Sequence, residues 1–195
     1  MSRNYVGIHY IQDRLKEFNP KFIDCVVRCF NLIDQSQEPN GCLSDSAALY
    51  ICAKEFGYKP VLCYGLCELR GIEFYHAWLE INGVVIDMAI YGNANFNPLL
   101  ANENKLSVPY IGPYDDPNIR YKKFEIDEYW MYSFISQIEG KSFEEYMDGL
   151  PQNAMWKLVC MFLDRMPTEN FINKLRKHVK NVKFERNGYQ QESMK

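Results

Sequence analysis

The sequence contains no long apolar run, no pair of cysteines at CxxC spacing and no glycine-rich phosphate loop. Because a membrane-spanning helix needs ~18 apolar residues in a row, we expect no membrane protein. Residues 1–18 interrupt their apolar positions with charged side chains, so they do not resemble a secretory signal. Without cysteines at CxxC spacing or a phosphate loop, the sequence predicts no metal ion and no cofactor.

The composition is typical of a folded globular protein. Its 195 residues favour a single domain, and 47% of them are hydrophobic and 15% aromatic, enough to build a core. Seven cysteines, an odd number in a chain with no export signal, predict reduced thiols and a cytoplasmic location. A net charge of −3 argues against a dedicated nucleic-acid-binding protein.

Basic residues are concentrated near the C-terminus. Residues 165–195 carry eight Lys or Arg and three acidic residues, whereas the rest of the chain carries fourteen basic and twenty-two acidic residues. This segment could contact an acidic partner. A solvated helix face explains the same pattern and is the more ordinary interpretation.

Apolar spacing predicts helices first and then a β-meander. Helices are predicted over residues 20–34 and Cys42–Phe56, the second with Asn40 as its cap. The Asn82-Gly83 pair predicts a two-residue hairpin turn. Three strand-like runs lie around it: Val61–Leu69, Glu73–Ile81 and Val84–Ile90.

The second half of the chain returns to a helical pattern. Residues 92–120 are rich in Asn, Pro and Gly and predict a long irregular connection. Four further helices are predicted at 125–138, 142–148, 152–165 and 168–181. Helices, a meander and then helices again indicate an α+β fold. We expect one domain over residues 1–195, with a core at about 20–92 and a helical part at 124–181.

Cys42 is predicted in the first turn of a helix. The positive end of the helix dipole and the free N–H groups there favour a thiolate, which is the nucleophilic form of cysteine. Gly41 before it would let a substrate approach the backbone closely. Taken alone, a cysteine at a helix start is more often a small buried apolar residue.

The hairpin register brings an imidazole and a carboxylate together. If Asn82-Gly83 is a two-residue turn, Trp78 lies opposite Asp87 and His76 lies opposite Ala89. These four side chains then share one face of the sheet, and His76 and Asp87 are diagonal neighbours. The other face is continuously apolar: Ala77, Leu79, Ile81, Val84, Ile86 and Met88.

This arrangement fits a Cys–His–Asp relay. His76 would accept the thiol proton of Cys42, and Asp87 would orient the ring and stabilise its charged form. The backbone N–H of Cys42 is one candidate oxyanion donor. The side-chain candidates for a second donor remain open among three residues: Gln35, Gln37 and Asn40. Gly41 and Trp78 are candidates for the substrate cleft, with Trp78 as a core residue the simpler alternative.

The stretch from Gly41 to Asp87 resembles the catalytic core of the transglutaminase-like superfamily of papain-like cysteine enzymes. The resemblance rests on Gly41-Cys42, on the strand Tyr75-His76-Ala77-Trp78-Leu79-Glu80-Ile81 and on Val85-Ile86-Asp87. The run 42–49 is also similar to the leader peptidases of lasso-peptide maturation. The resemblance implies a catalytic helix packed on an antiparallel meander, with Cys42 as nucleophile, His76 as base and Asp87 as orienting residue.

These observations together predict thiol-mediated acyl transfer on a peptide or protein substrate. Hydrolysis of an amide bond through a thioester is the first hypothesis, and residues 92–120 and the C-terminal helices are expected to form part of the cleft. Transfer to an amine, or deamidation, is the alternative reaction. A catalytically inactive member that binds a peptide or partner is the alternative of a different class.

Overall fold

Three helices precede the sheet along the chain. The computed structural model describes residues 3–39, 41–100, 105–114, 116–123, 138, 140–180, 182–184 and 190–192. The first helices are α1 (Arg3–Arg14), α2 (Pro20–Ser36) and α3 (Cys42–Glu55). The predictions for α2 and α3 are therefore confirmed to within two residues at each end.

Five strands form one antiparallel sheet in the order β4-β3-β2-β1-β5. They are β1 (Val61–Leu69), β2 (Ile72–Ile81), β3 (Val84–Asp87), β4 (Tyr110–Gly112) and β5 (Ile119–Lys123). The hairpin turn between β2 and β3 pairs Ile81 with Val84, as predicted. Its residues Asn82 and Gly83 adopt φ values of 54° and 78°, the left-handed region that an Asn-Gly turn requires.

The other described elements follow the third strand. They are the helices α4 (Ala89–Phe96), α5 (Phe143–Asp148), α6 (Ala154–Phe162) and α7 (Glu169–Arg176), and a small sheet of β6 (Val182–Phe184) and β7 (Gln190–Glu192). The mixture of helices and antiparallel sheet confirms the α+β class. None of the described helices combines the length and the apolar character that a membrane crossing requires.

Helix α3 lies at the centre of the fold. It packs on β2, on α2 and on α6, and its residues from Ser46 to Ala53 are all buried. Because this helix is covered on all sides, its sequence consists mainly of small and apolar residues and shows no polar stripe. The Ser46 hydroxyl, one of its few polar groups, donates a hydrogen bond to the Ala77 carbonyl at 3.2 Å and ties the helix to β2.

The two faces of the hairpin have separate packing partners, as the alternation predicted. Ala77, Leu79 and Ile86 lie in the main core with the helices. Trp78 and Val85 lie in a second cluster on the other face, together with aromatic residues of β4 and β5.

Two expectations need correction, and two others are not tested. Strand β3 ends at Asp87 rather than Ile90, so Ala89 does not pair with His76 but begins α4. Residues 92–120 are not simply irregular, because they contain the end of α4, strand β4 and the first residues of β5. The helix expected at 125–138 lies outside the described residues except for its last position, and the cap Asn40 also lies outside them.

Part of the basic segment near the C-terminus is paired within the chain. Lys174 forms an ion pair with Glu55, and Arg176 donates a hydrogen bond to Asp148 at 2.8 Å. These contacts fit the solvated-face interpretation for α7. The side chains after residue 182 are outside the described residues, so an acidic partner for that part stays a prediction.

Candidate active site

The nucleophile candidate Cys42 occupies the first position of α3. The first hydrogen bond of this helix runs from the Asp45 N–H to the Gly41 carbonyl at 2.8 Å. The backbone N–H groups that precede Asp45 in the helix, including that of Cys42, have no acceptor within the helix. Such free N–H groups at a helix N-terminus can bind a negative charge. Cys42 as a residue is 7% exposed, whereas the other six cysteines are at most 1% exposed.

His76 and Asp87 meet as the hairpin register predicted. The distance between His76 Nε2 and Asp87 Oδ2 is 2.7 Å, and both side chains are fully buried. Because a carboxylate can only accept, the ring nitrogen Nε2 carries a proton and donates it to Asp87. The tautomer of the ring is therefore fixed, and the other nitrogen, Nδ1, is the one available for proton transfer.

The side chain of Cys42 also acts on the His76 ring and raises its pKa. Burial of the ring acts to lower its pKa, but the charge and hydrogen bond of Asp87, together with those of Cys42, outweigh burial and raise the pKa of His76 to about 10. At neutral pH the ring therefore holds its second proton. A positively charged ring beside a sulfur atom stabilises the thiolate form.

Asp87 has two further hydrogen-bond donors. The Tyr121 hydroxyl of β5 donates to Oδ2 at 2.7 Å, and the Ile90 N–H at the start of α4 donates to Oδ1 at 3.0 Å. Burial and the Asp87 charge raise the pKa of Tyr121, so its hydroxyl stays protonated and remains a donor. The carboxylate is thus fixed from three sides and keeps its negative charge directed at the ring.

Asn93 of α4 is a site residue that the sequence did not indicate. Its Nδ2 atom lies 3.2 Å from His76 Nδ1, and its side chain is buried. In the neutral ring Nδ1 accepts from this amide, whereas in the charged ring Nδ1 becomes a donor and can pair only with an oxygen or with sulfur. Asn93 therefore contacts the ring at the atom whose protonation changes during proton transfer.

Asp45, in the first turn of α3, places a second carboxylate near the site. It is 8% exposed, and burial followed by the negative charge of Asp87 raises its pKa to about 7. A Cβ atom at Gly41 would lie only 2.6 Å from Asp45 Oδ2, so any larger residue here would displace the Asp45 side chain. The sequence signal was available, because Asp45 follows Cys42 by three positions and so lies on the same side of the helix.

The two residues expected in the substrate cleft have different positions. Gly41 lies at the surface beside a cavity and forms the N-cap of α3. Trp78 is fully buried, packs its ring on Tyr121 at 4.8 Å between centroids, and donates a hydrogen bond to the Tyr114 hydroxyl at 3.2 Å. Its ring supports the strand beneath the site and does not lie on a surface that a substrate can reach.

The side-chain candidates for the oxyanion donor lie at the end of α2. Gln35 and Gln37 are both exposed, and Gln37 is the left-handed C-cap of the helix with a φ of 54°. Asn40 lies outside the described residues. Which side chain completes an oxyanion site with the Cys42 N–H therefore stays a prediction.

Comparison with known proteins gives one family. Residues 11–101, a little under half of the chain, match the model of the Transglutaminase-like superfamily. The match confirms the resemblance for this segment, which contains the whole cluster from Cys42 to Asn93. No curated protein and no solved structure gave a match. The similarity of residues 42–49 to lasso-peptide leader peptidases stays a prediction.

Members of this superfamily are generally cysteine enzymes, which fits a cluster built around a thiol and an imidazole. Within the described part of the chain, no group of three or more His, Cys, Asp or Glu side chains is arranged to hold a metal ion.

Proposed function

We propose that this protein is a cysteine-dependent acyl-transfer enzyme that hydrolyses an amide bond in a peptide-like substrate. Cys42 is the nucleophile, His76 the general base and acid, and Asp87 the orienting residue. The observation that carries the proposal is that the His76 ring is hydrogen-bonded to the Asp87 carboxylate at 2.7 Å, while the Cys42 side chain acts on the same ring and raises its pKa. Such a base, itself oriented by a third group, is the requirement for an activated nucleophile.

The reaction follows from these positions. In the resting site the Cys42 proton is already on His76, and the thiolate adds to the substrate carbonyl to give a tetrahedral oxyanion near the Cys42 N–H. When this intermediate collapses, the C–N bond breaks and His76 returns the proton to the leaving amine, which leaves a thioester on Cys42. A water molecule then gives its proton to His76, adds to the thioester and releases the carboxylic acid and the thiol.

Transfer to an amine is the second candidate reaction, and the burial of the site favours it. His76 and Asp87 are fully buried, and water reaches only a small part of the Cys42 surface. A site that limits access of water gives an amine a better chance of resolving the thioester. Product analysis in the presence and absence of n-butylamine separates the two, because transfer yields the butylamide and hydrolysis the free acid.

Trapping of the acyl-enzyme tests the proposed function. The protein is incubated with a library of acetylated peptide thioesters and p-nitroanilides, quenched in acid and digested, and the acyl group is located by mass spectrometry. We expect a hydroxylamine-sensitive adduct on Cys42 that is absent in Cys42→Ala and retained in Cys25→Ala, a matched loss of a buried thiol. An adduct on another residue, or turnover that survives Cys42→Ala, contradicts the proposal.

A further inference from the structure

A cavity of about 300 Å³ opens beside the N-terminus of α3. One part of its wall is apolar, formed by Leu32, Ile33 and Pro39, and two carboxylic acids, Glu38 and Asp45, also line it. Among the described residues that line it there is no Lys, Arg or His. The cavity therefore combines an apolar wall with a negative charge that no lining side chain balances.

The Asp45 carboxylate has no partner among the described residues. The residue is 8% exposed, and its side chain makes no hydrogen bond or ion pair with any of them. The charge that acts on it is the negative charge of Asp87, which is unfavourable. Because a buried carboxylate is costly unless it is paired, this geometry indicates a ligand that supplies a positive charge or hydrogen-bond donors.

The cavity lies beside the residue that precedes the candidate nucleophile in the chain. Gly41 lines it, and the Asp45 Oδ2 atom lies so close to Gly41 that a Cβ there would be only 2.6 Å away. Because Gly41 is followed directly by Cys42, and Asp45 follows Cys42 by three positions on the same side of α3, the cavity is at the end of the helix where Cys42 lies. Ser36 and Ser44 add hydroxyl groups to the lining.

We propose that this cavity binds a positively charged group of the substrate, an alkylammonium or a guanidinium, next to the carbonyl that Cys42 attacks. The inference rests on the proposed function and adds a substrate class to it. Leu32, Ile33 and Pro39 pack on the methylene stem of a Lys or Arg side chain, and the charged end pairs with Asp45 and Glu38. A neutral or acidic side chain at this place would leave the buried carboxylate unpaired.

The charge state of Asp45 makes the preference depend on pH. The titratable groups around Asp45 are Cys29 of α2, Asp87 of β3, Tyr146 of α5 and, across the cavity, Glu38. Burial and the Asp87 charge raise the pKa of Asp45 to about 7. The preference for a cation is therefore expected to increase between pH 6 and pH 8, where Asp45 loses its proton.

Alkylation rates of Cys42 with reagents of different charge test the inference on the full chain. The probes are 2-bromoethylamine, iodoacetamide and iodoacetate, and each rate at pH 8 is divided by that for N-acetylcysteine amide. We expect the normalised rates to fall in the order cationic, neutral, anionic, with about tenfold between the first two. In Asp45→Asn this ratio should fall to within about twofold of one, while the exposed surface substitution Asp13→Asn keeps it.

Two further probes locate the cation. If an acetyl-lysine acyloxymethyl ketone labels Cys42 faster than its norleucine analogue, the cation belongs to the part of the substrate that becomes the thioester. If n-butylammonium protects Cys42 from labelling, the cation belongs to the amine that leaves or is added. A preference in either arm that is lost in Asp45→Asn supports the inference. If Cys42 is labelled ahead of the other thiols but neither arm depends on charge, the inference is overturned and the proposed function stands. If Cys42 is not labelled selectively by any reagent, both fall.

Discussion

At the scale of single residues, the site depends on how Asp87 is fixed. Its carboxylate accepts hydrogen bonds from the His76 ring, the Tyr121 hydroxyl and the Ile90 N–H. These donors come from β2, β5 and α4, so the carboxylate is positioned by three different elements. A carboxylate that accepts three hydrogen bonds is held in one orientation, and the ring N–H that donates to it is fixed in one tautomer.

The substitution Asp87→Asn tests this role with little change in shape. The Asn side chain can donate an N–H to the ring as well as accept from it, so the ring is no longer held in the tautomer with the proton on Nε2. The charged form of the ring also loses its negatively charged partner. We expect the turnover of the peptide substrate that acylates Cys42 in the trapping experiment to fall by about 10²- to 10⁴-fold. An NMR titration should show the His76 pKa falling from its raised value toward about 6.5. Activity within tenfold of the parent protein would contradict the assignment.

Asp45 is expected to reduce stability at neutral pH. Its pKa of about 7 in the folded protein lies above the ordinary value of 3.8, so between these values the folded state binds more protons than the unfolded state. Stability therefore falls as the pH rises through this interval, and Asp45→Asn removes the loss. We expect the substitution to raise the free energy of unfolding by about 1–3 kcal/mol at pH 8, and by less at pH 5.

Urea unfolding of both proteins at the two pH values measures this difference. A destabilised Asp45→Asn at pH 8 would mean that the carboxylate has a stabilising partner in the folded protein. A gain in stability, combined with the loss of charge preference, would instead mark Asp45 as a residue that costs stability and contributes to function.

At the scale of elements, the strongly patterned part of the sequence was predictable. Helix α2 shows regular apolar spacing, and the β2–β3 hairpin combines strict alternation with an Asn-Gly turn, so the partners Ile81 and Val84 followed directly. The meeting of His76 and Asp87 was a consequence of this register. Short-range sequence patterns therefore contained the part of the site that lies on neighbouring strands.

Helix α4 could not be predicted in the same way, and the site residue Asn93 was missed with it. Residues 89–96 include Gly92 and two Asn, residue types that have low helix propensity. Most residues of this helix are buried, so the sequence shows no alternation of polar and apolar positions at helical spacing. The helix is stabilised by packing and by the Asp87 side chain at its start. Tyr121 was missed for a related reason, because β5 pairs with β1 across more than fifty residues of sequence.

The substitution Asn93→Ala tests the contribution of α4 to the site. Loss of the amide removes the side chain that contacts Nδ1 of His76, so the ring is less well oriented during acylation. We expect the rate of acylation to fall about tenfold and its pH profile to shift, because one hydrogen bond contributes about 1 kcal/mol. The matched control is Asn97→Ala at the C-cap of the same helix, where the parent rate and profile should remain.

The contact of α1 with the sheet gives a prediction for stability alone. The Tyr10 hydroxyl donates to the Ile111 carbonyl at 3.2 Å and accepts from the Ile111 N–H at 3.3 Å, so one side chain satisfies both backbone groups on the edge strand β4. We expect Tyr10→Phe to lower the free energy of unfolding by about 1–3 kcal/mol without changing the acylation rate. An unchanged urea midpoint would show that these bonds are replaced by water at no cost.

At the scale of the whole molecule, the C-terminal helices and the catalytic helix share one core. Trp156, Val159 and Phe162 of α6 belong to the same apolar cluster as Leu49 and Ile51 of α3. Helix α3 is therefore covered by the sheet on one part of its surface and by the C-terminal helices on another. The segment that matches the family model and the segment that lies outside it are joined through this core.

A chain that ends at Lys123 should therefore fail to fold cooperatively. It would expose the apolar residues of α3 that α6 covers, which corresponds to the loss of several large buried side chains. We expect no sigmoidal thermal transition by circular dichroism and no acylation of Cys42. Full activity in this truncated protein would show that the C-terminal helices form neither the core of the fold nor part of the cleft.

The central claim is that the charged His76 ring activates the Cys42 sulfur. The most direct measurement is the rate of iodoacetamide labelling of each cysteine at pH 6, mapped by mass spectrometry. At this pH ordinary thiols are almost fully protonated and react slowly, while a thiolate beside a charged ring still reacts. We predict that Cys42 is labelled about a hundredfold faster than the other six cysteines and that His76→Ala removes the difference. Equal slow labelling of all seven cysteines in the folded protein, or faster labelling of another one, would contradict the account.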